Sequence, residues 1–195
     1  MKGETKTENK GLISSNGRVI RDVKFNGVNL NMEMRNIRIE KVTLNIGCGT
    51  KTPLETAKTV LKNVSGGKVV LTKTKKRSTF NVPKNKAIGC KITLRKNTES
   101  FLKRLFEAKE NRLRATNFDN TGNFSFGIRE YIDVPGMEYD PKMGVLGFDV
   151  CVTLERPGYR IKRKRLPRKL GKEHTIKKED AMEFAKRKFG ITIEE

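Results

Sequence analysis

The chain has 195 residues, with 43 lysines and arginines against 22 acids and a formal net charge of +21. This length buries one core without disulfides or metal, and this charge selects polyanions as partners, nucleic acid or an anionic membrane surface. No apolar run of about twenty residues is present to cross a bilayer, and MKGETKTENKG lacks the apolar centre of a signal peptide.

The 35% apolar content supports a folded domain, while tryptophan is absent and aromatics make up 7%. Any stacking on bases then falls to ten Phe, three Tyr or arginine planes. Cys48, Cys90 and Cys151 lie too far apart for zinc-ligand spacing or a disulfide framework and are expected as buried, reduced thiols. His174, the one histidine, sits between basic stretches and is expected at the surface or in packing. No metal or other cofactor is expected.

Residues 1–33 are rich in Lys, Glu, Asn and Gly and are expected as a flexible extension. Residues 34–195 read as a single RNA-binding domain. Lys41–Ile46 alternates polar and apolar side chains, the pattern of a half-buried strand. Thr52 then reads as a helix N-cap, with Pro53 in the first turn and Glu55 closing a capping box. Gly66-Gly67 stops that helix.

A strand at Lys68–Thr74 leads into a long loop containing Pro83, followed by a strand with Ile88, Cys90, Ile92 and Leu94 on one face. An amphipathic helix is predicted from Thr98 to Leu113. Phe124, Phe126 and Ile128 alternate briefly, Val134–Gly144 reads as a loop, and Val145–Glu155 is a strand. Arg156–Lys178, broken by Pro157 and Pro167, reads as loop. The final helix, Lys178–Phe189, carries acids first and bases last, in accord with its dipole. This order predicts an α+β fold: an antiparallel-rich mixed sheet, helices packed on one face, the other face open to RNA, and long basic loops.

Charge is focused. Residues 73–96 hold nine Lys/Arg and no acid; residues 156–178 hold eleven and only Glu173. Together these 47 residues carry +19 of the +21. Alternation places Lys41, Thr43, Asn45, Thr72, Thr74, Lys91, Thr93 and Arg95 on the open face, where cations and short hydrogen-bonding groups suit phosphate and ribose. Lys75, Lys76, Arg77, Lys84 and Lys86 populate the long loop. Arg156, Arg160, Lys162, Arg163, Lys164, Arg165, Arg168 and Lys169 populate the C-terminal basic segment.

An RNA chaperone would need the same charge. A metal-dependent nuclease would need Glu130, Asp133, Glu138 and Asp140 to converge. These acids are strung along a Pro/Gly-rich segment, so no enzyme is expected.

Five ordered blocks sharpen the choice: Arg38–Gly47 (RIEKVTLNIG), Ala87–Arg95 (AIGCKITLR), Phe118–Ile128 (FDNTGNFSFGI), Tyr139-Asp-Pro141, and Arg156–Arg160 (RPGYR). Over residues 34–195 the chain resembles the universal large-subunit ribosomal protein of the L-five family, in its archaeal and eukaryotic form. That resemblance implies a cytoplasmic, ribosome-bound protein that contacts 5S rRNA and large-subunit rRNA in the central protuberance. It further implies contacts with P-site tRNA, with neighbouring large-subunit proteins and with a small-subunit head protein across a bridge. Its 5S-facing strand positions fall on Asn45, Thr72, Thr74, Lys91, Thr93 and Arg95, and its tRNA-contacting loop on Lys75–Lys86. The family's usual basic-Gly pair near the end of that loop is missing here, and residues 1–30 have no counterpart in the pattern.

Overall fold

The computed structural model describes residues 34–49, 53–77 and 82–194, with the backbone of residues 24–25 and 28–29. The Thr52 cap and most of the proposed extension lie outside these residues. Within the extension, β1 (Lys24–Phe25) and β2 (Val28–Asn29) pair as a short antiparallel ribbon.

The main sheet has five strands in the order β4-β5-β3-β8-β7: β3 is Arg38–Gly47, β4 Val70–Lys73, β5 Ala87–Leu94, β7 Phe124–Ile128 and β8 Phe148–Glu155. Three helices, α1 (Leu54–Ser65), α2 (Thr98–Glu107) and α3 (Lys178–Phe189), share one apolar core with the sheet. Val42, Leu44 and Ile46 of β3 point into that core, as do Ile92 of β5, Phe124, Phe126 and Ile128 of β7, and Val150, Val152 and Leu154 of β8. The fold is the α+β architecture predicted by alternation.

All pairings within this sheet are antiparallel. The parallel component of the expected mixed sheet is confined to a ribbon of β6 (Arg112–Arg114) and β9 (Thr192–Glu194). Each of these strands follows a helix. The rings of Phe106 on α2 and Phe189 on α3 lie 5.1 Å apart, so the two helices end side by side, and the strands that follow them run parallel.

Three local expectations are corrected. Pro53 occupies the N-cap of α1, with no side-chain cap bond, rather than the first turn; the Thr56 hydroxyl instead donates to the Pro53 carbonyl at 2.8 Å. Helix α2 ends at Glu107, six residues early, because Glu110 and Asn111 both adopt φ of 55°. Left-handed backbone halts a helix. Leu113 still reaches the core, but from β6. Finally, Cys151 is exposed while Cys48 and Cys90 are buried.

One glycine is required by contact as well as by conformation. Gly122 has φ of 80°, and a Cβ there would lie 2.4 Å from Cγ2 of the buried Ile176. It terminates a turn in which Asp119 accepts bonds from the Asn120 amide at 2.7 Å and the Thr121 hydroxyl at 2.5 Å. These two bonds hold the Asp119 carboxyl below its ordinary range.

Leu44 and Ile92 are fully or nearly fully buried and directly opposed across β3 and β5. Leu44→Ala is expected to cost about 2–5 kcal/mol in urea unfolding. Because the two side chains face one packed core as register partners, Leu44→Ala with Ile92→Ala should cost less than the sum of the single changes. Additive losses would show that the two side chains are not in contact.

Candidate nucleic-acid interface

The face of the sheet away from the helices is assembled from residues in register. Thr43 lies opposite Thr93 on one side and Cys151 on the other; Asn45 lies between Lys91 and Asp149; Lys41 lies opposite Thr153. Ser125 and Gly127 of β7 extend these rows beyond Cys151 and Asp149. At the β4 edge Thr72 opposes Gly89, and a Cβ on Gly89 would lie 2.9 Å from the Thr72 hydroxyl oxygen. Lys91, Thr93 and Arg95 are exposed, and Lys41, Thr43, Asn45 and Thr72 are half-buried. The alternation thus brings seven of its eight predicted face residues onto or beside one polar surface.

Thr74 differs. It lies just past β4, where its hydroxyl donates to the Pro83 carbonyl at 2.8 Å and its amide to the Lys86 carbonyl at 2.9 Å. The Asn85 amide returns a bond to the Thr74 carbonyl at 3.0 Å. Thr74 therefore closes the neck of the basic loop. Beyond this neck Lys75, Lys76, Arg77, Lys84 and Lys86 are exposed. Residues 78–81 lie outside the described residues.

The C-terminal basic segment divides into anchors and exposed cations. Arg156 is buried, 9% exposed; its Nη2 donates to Asp180 at 3.0 Å and its Nη1 to the His174 carbonyl at 3.4 Å. Its guanidinium is turned inward, which removes it from the predicted RNA-facing set. Tyr159 joins the same knot: its hydroxyl donates to the His174 carbonyl and accepts from the Ile176 amide. His174 packs here, with Nε2 2.8 Å from the Pro157 carbonyl. Arg163 pairs with Glu40 at 2.7 Å and Glu155 at 2.5 Å. Arg160, Lys162, Lys164, Arg165, Arg168 and Lys169 remain exposed.

Two features of the face were missed by sequence reasoning. Asp149, Cys151, Thr153 and Ser125 belong to it, and the signal was available: they alternate with the core residues of β7 and β8. Arg38 also joins it. Strict alternation puts Arg38 with Val42, Leu44 and Ile46, but the β3–β8 register shifts between Ile39 and Lys41, so Arg38 pairs with Glu155 and Lys41 with Thr153. A one-residue bulge at Glu40 moves Arg38 to the open face.

Among the described residues no phenylalanine is available for base stacking on this surface. The eight described phenylalanine side chains are buried or half-buried, and Tyr131 is fully buried, leaving Tyr139 as the one strongly exposed aromatic among the described residues. Nor do the loop acids converge. Asp133 lines one groove beside β7, and Glu138 and Asp140 line a separate hollow. Among the described residues no three His, Cys, Asp or Glu side chains cluster as a metal site.

The fold and surface thus define a binding protein: a polar sheet face between two cationic segments, with no catalytic constellation among the described residues. The C-terminal model of the ribosomal L-five protein family matches residues 87–184. The large ribosomal subunit protein uL5 of Sulfurisphaera tokodaii is 45% identical over 167 residues, covering 83% of this chain and 94% of that protein. Its namesake from Cenarchaeum symbiosum is 43% identical, covering 83% of this chain and 98% of that protein. That of Methanococcus vannielii is 42% identical, with 82% and 92% covered. The chain belongs to the ribosomal L-five protein family: it is a structural constituent of the large ribosomal subunit, ribosome-bound in the cytoplasm, and not an enzyme.

Cys151 offers a native probe of the face. Burial among its neighbours raises its thiol pKa above the ordinary value, and the Asp149 carboxylate raises it further. Burial likewise raises those of Cys48 and Cys90. In native protein iodoacetamide should label Cys151 alone, faster as pH rises through the thiolate transition. Asp149→Asn, by lowering that pKa, should speed labelling at fixed pH; mass spectrometry reads both. An unchanged rate would remove Asp149 as a cause.

Proposed function

We propose that the chain binds 5S rRNA through the open sheet face and large-subunit rRNA through the C-terminal basic segment, and that the Lys75–Lys86 loop meets P-site tRNA. The observation that carries this reading is the uninterrupted row Thr43, Asn45, Lys91 and Thr93, with a cationic segment on either side of it. Hydroxyl and amide groups of this kind bond ribose and base edges, while the flanking cations neutralise phosphates. The sheet supplies a rigid platform and the loop a separate one beyond its edge, so the two can serve different RNAs. Contacts with neighbouring large-subunit proteins and a small-subunit head protein rest on the family resemblance.

Asn45→Ala and Thr93→Val should each weaken 5S rRNA binding several-fold, about 1 kcal/mol per lost hydrogen bond, with little change in unfolding midpoint. Salt should weaken wild-type binding with a log–log slope of about −0.7 to −0.9 per phosphate contacted. Bound 5S rRNA should also shield Cys151 from iodoacetamide. Full labelling of Cys151 in a saturated complex would show that the RNA lies elsewhere.

Replacing residues 76–85 by a tight turn should leave 5S affinity nearly intact and reduce P-site tRNA occupancy in reconstituted ribosomes. The reverse pattern would assign the loop to 5S rRNA.

A further inference from the structure

Arg38 at the start of β3 and Arg163 in the basic segment are 125 positions apart in the sequence, yet both reach Glu155 at the end of β8. Arg38 donates to Oε1 through Nε at 2.8 Å, and its Nη2 lies 2.7 Å from the same oxygen. Arg163 donates through Nη2 to Oε2 of Glu155 at 2.5 Å and through Nη1 to Glu40 at 2.7 Å. The carboxylates lie beneath: the Glu155 and Glu40 side chains are 8% and 15% exposed, while those of Arg38 and Arg163 are 63% and 52% exposed. Nη1 of Arg38 and Nε of Arg163 lie outside this network.

We infer that Glu155 is a positioning residue that holds Arg38 and Arg163 as a paired guanidinium clamp for a backbone phosphate of bound rRNA. The inference rests on the proposed rRNA-binding role and adds two residues, Arg38 and Glu155, to it. Two guanidiniums this close repel, and each is a flexible side chain that must be ordered before it can grip. A carboxylate shared between them offsets the repulsion and fixes both planes in advance of binding. A planar fork with its donors fixed matches the bidentate geometry of a phosphate. The position suits this role: the Glu40 bulge delivers Arg38 to the open face beside Lys41, and Arg163 brings the basic segment to the same end. A tether alone would hold the segment equally well with its arginines sunk in the surface, whereas here the acids are covered and the guanidiniums face outward.

The two roles differ in the sign of one mutation. Glu155→Gln raises the net charge by one, so general electrostatic attraction predicts tighter rRNA binding. Positioning predicts binding about five- to tenfold weaker, with a salt slope shallower by about one to two phosphate contacts' worth. The control, Glu107→Gln, removes an exposed acid at the end of α2 and should bind 5S rRNA and total large-subunit rRNA as tightly as wild type or slightly more so.

Arg38→Lys keeps the charge and removes the fork; about threefold weaker binding is expected. Circular dichroism melting accompanies each titration, and if Glu155→Gln does not fold, Arg38→Lys decides. A folded Glu155→Gln protein that binds as well as wild type, or an Arg38→Lys protein of undiminished affinity, overturns the clamp. Wild-type protein that fails to bind either RNA overturns the underlying role instead, before any variant is compared.

Discussion

Strand β3 is hydrogen-bonded along both edges, to β5 and to β8, and the rest of the molecule depends on how it divides its side chains. Val42, Leu44 and Ile46 enter the core; Thr43 and Asn45 lie on the opposite face. A slip of one residue against either neighbour would exchange these sets, moving three apolar side chains into water and polar ones into the core. The pairing is therefore fixed by burial, and the polar face inherits its geometry from the core beneath it. Placing Asn45 between Lys91 and Asp149 requires no interaction among those three residues; it follows from Leu44 meeting Ile92 and Val150.

A protein with this net charge must also hold its cationic segments in place without neutralising them. It uses few acids for this, all at the root of the C-terminal segment, and closes the loop neck with neutral hydrogen bonds. Asp180, in the first turn of α3, accepts the Lys177 amide and the Arg156 guanidinium together. This satisfies an orphan helix donor and an inward-turned cation with one carboxylate. Glu155 and Glu40 hold Arg163 at the other end of the basic turn. Arg160, Lys162, Lys164, Arg165, Arg168, Lys169 and Lys172 stay exposed beside these anchors. Arginines make these anchoring contacts, consistent with a fork that can bond an acid on one edge and leave donors on another.

Alternation made most of the sheet legible in the sequence, because one-sided burial writes a period of two into every long strand. It failed at Glu40, where one extra residue inverts the parity of Arg38 and no local residue type marks the bulge. The end of α2 was obscured for a related reason. Leu113 sits seven residues beyond Phe106, a spacing that satisfies a helix, and its burial by β6 depends on β9 at the far end of the chain. Arg156 was misplaced because composition counts charges without their direction. Its partners, Asp180 and the His174 carbonyl, are brought to it only by the fold. Long-range pairing of this kind leaves no periodic trace.

The two cationic segments share a principle of attachment that bears on how they would meet RNA in the proposed role. At the loop neck the contacts are a threonine hydroxyl and backbone amides on carbonyls. At the root of the basic segment they are a tyrosine hydroxyl and a histidine ring on backbone groups, beside one ion pair whose arginine is buried and whose aspartate is partly exposed. Neutral hydrogen bonds are not screened by salt, and a partly buried pair is screened less than exposed charges. Phosphate contacts, in contrast, weaken steeply as counterions accumulate. Salt that strips RNA from the surface should therefore leave both segments docked at these roots. In the proposed role RNA would then meet anchored cations already in position, and at the roots the ordering cost of binding would be confined to the long side chains.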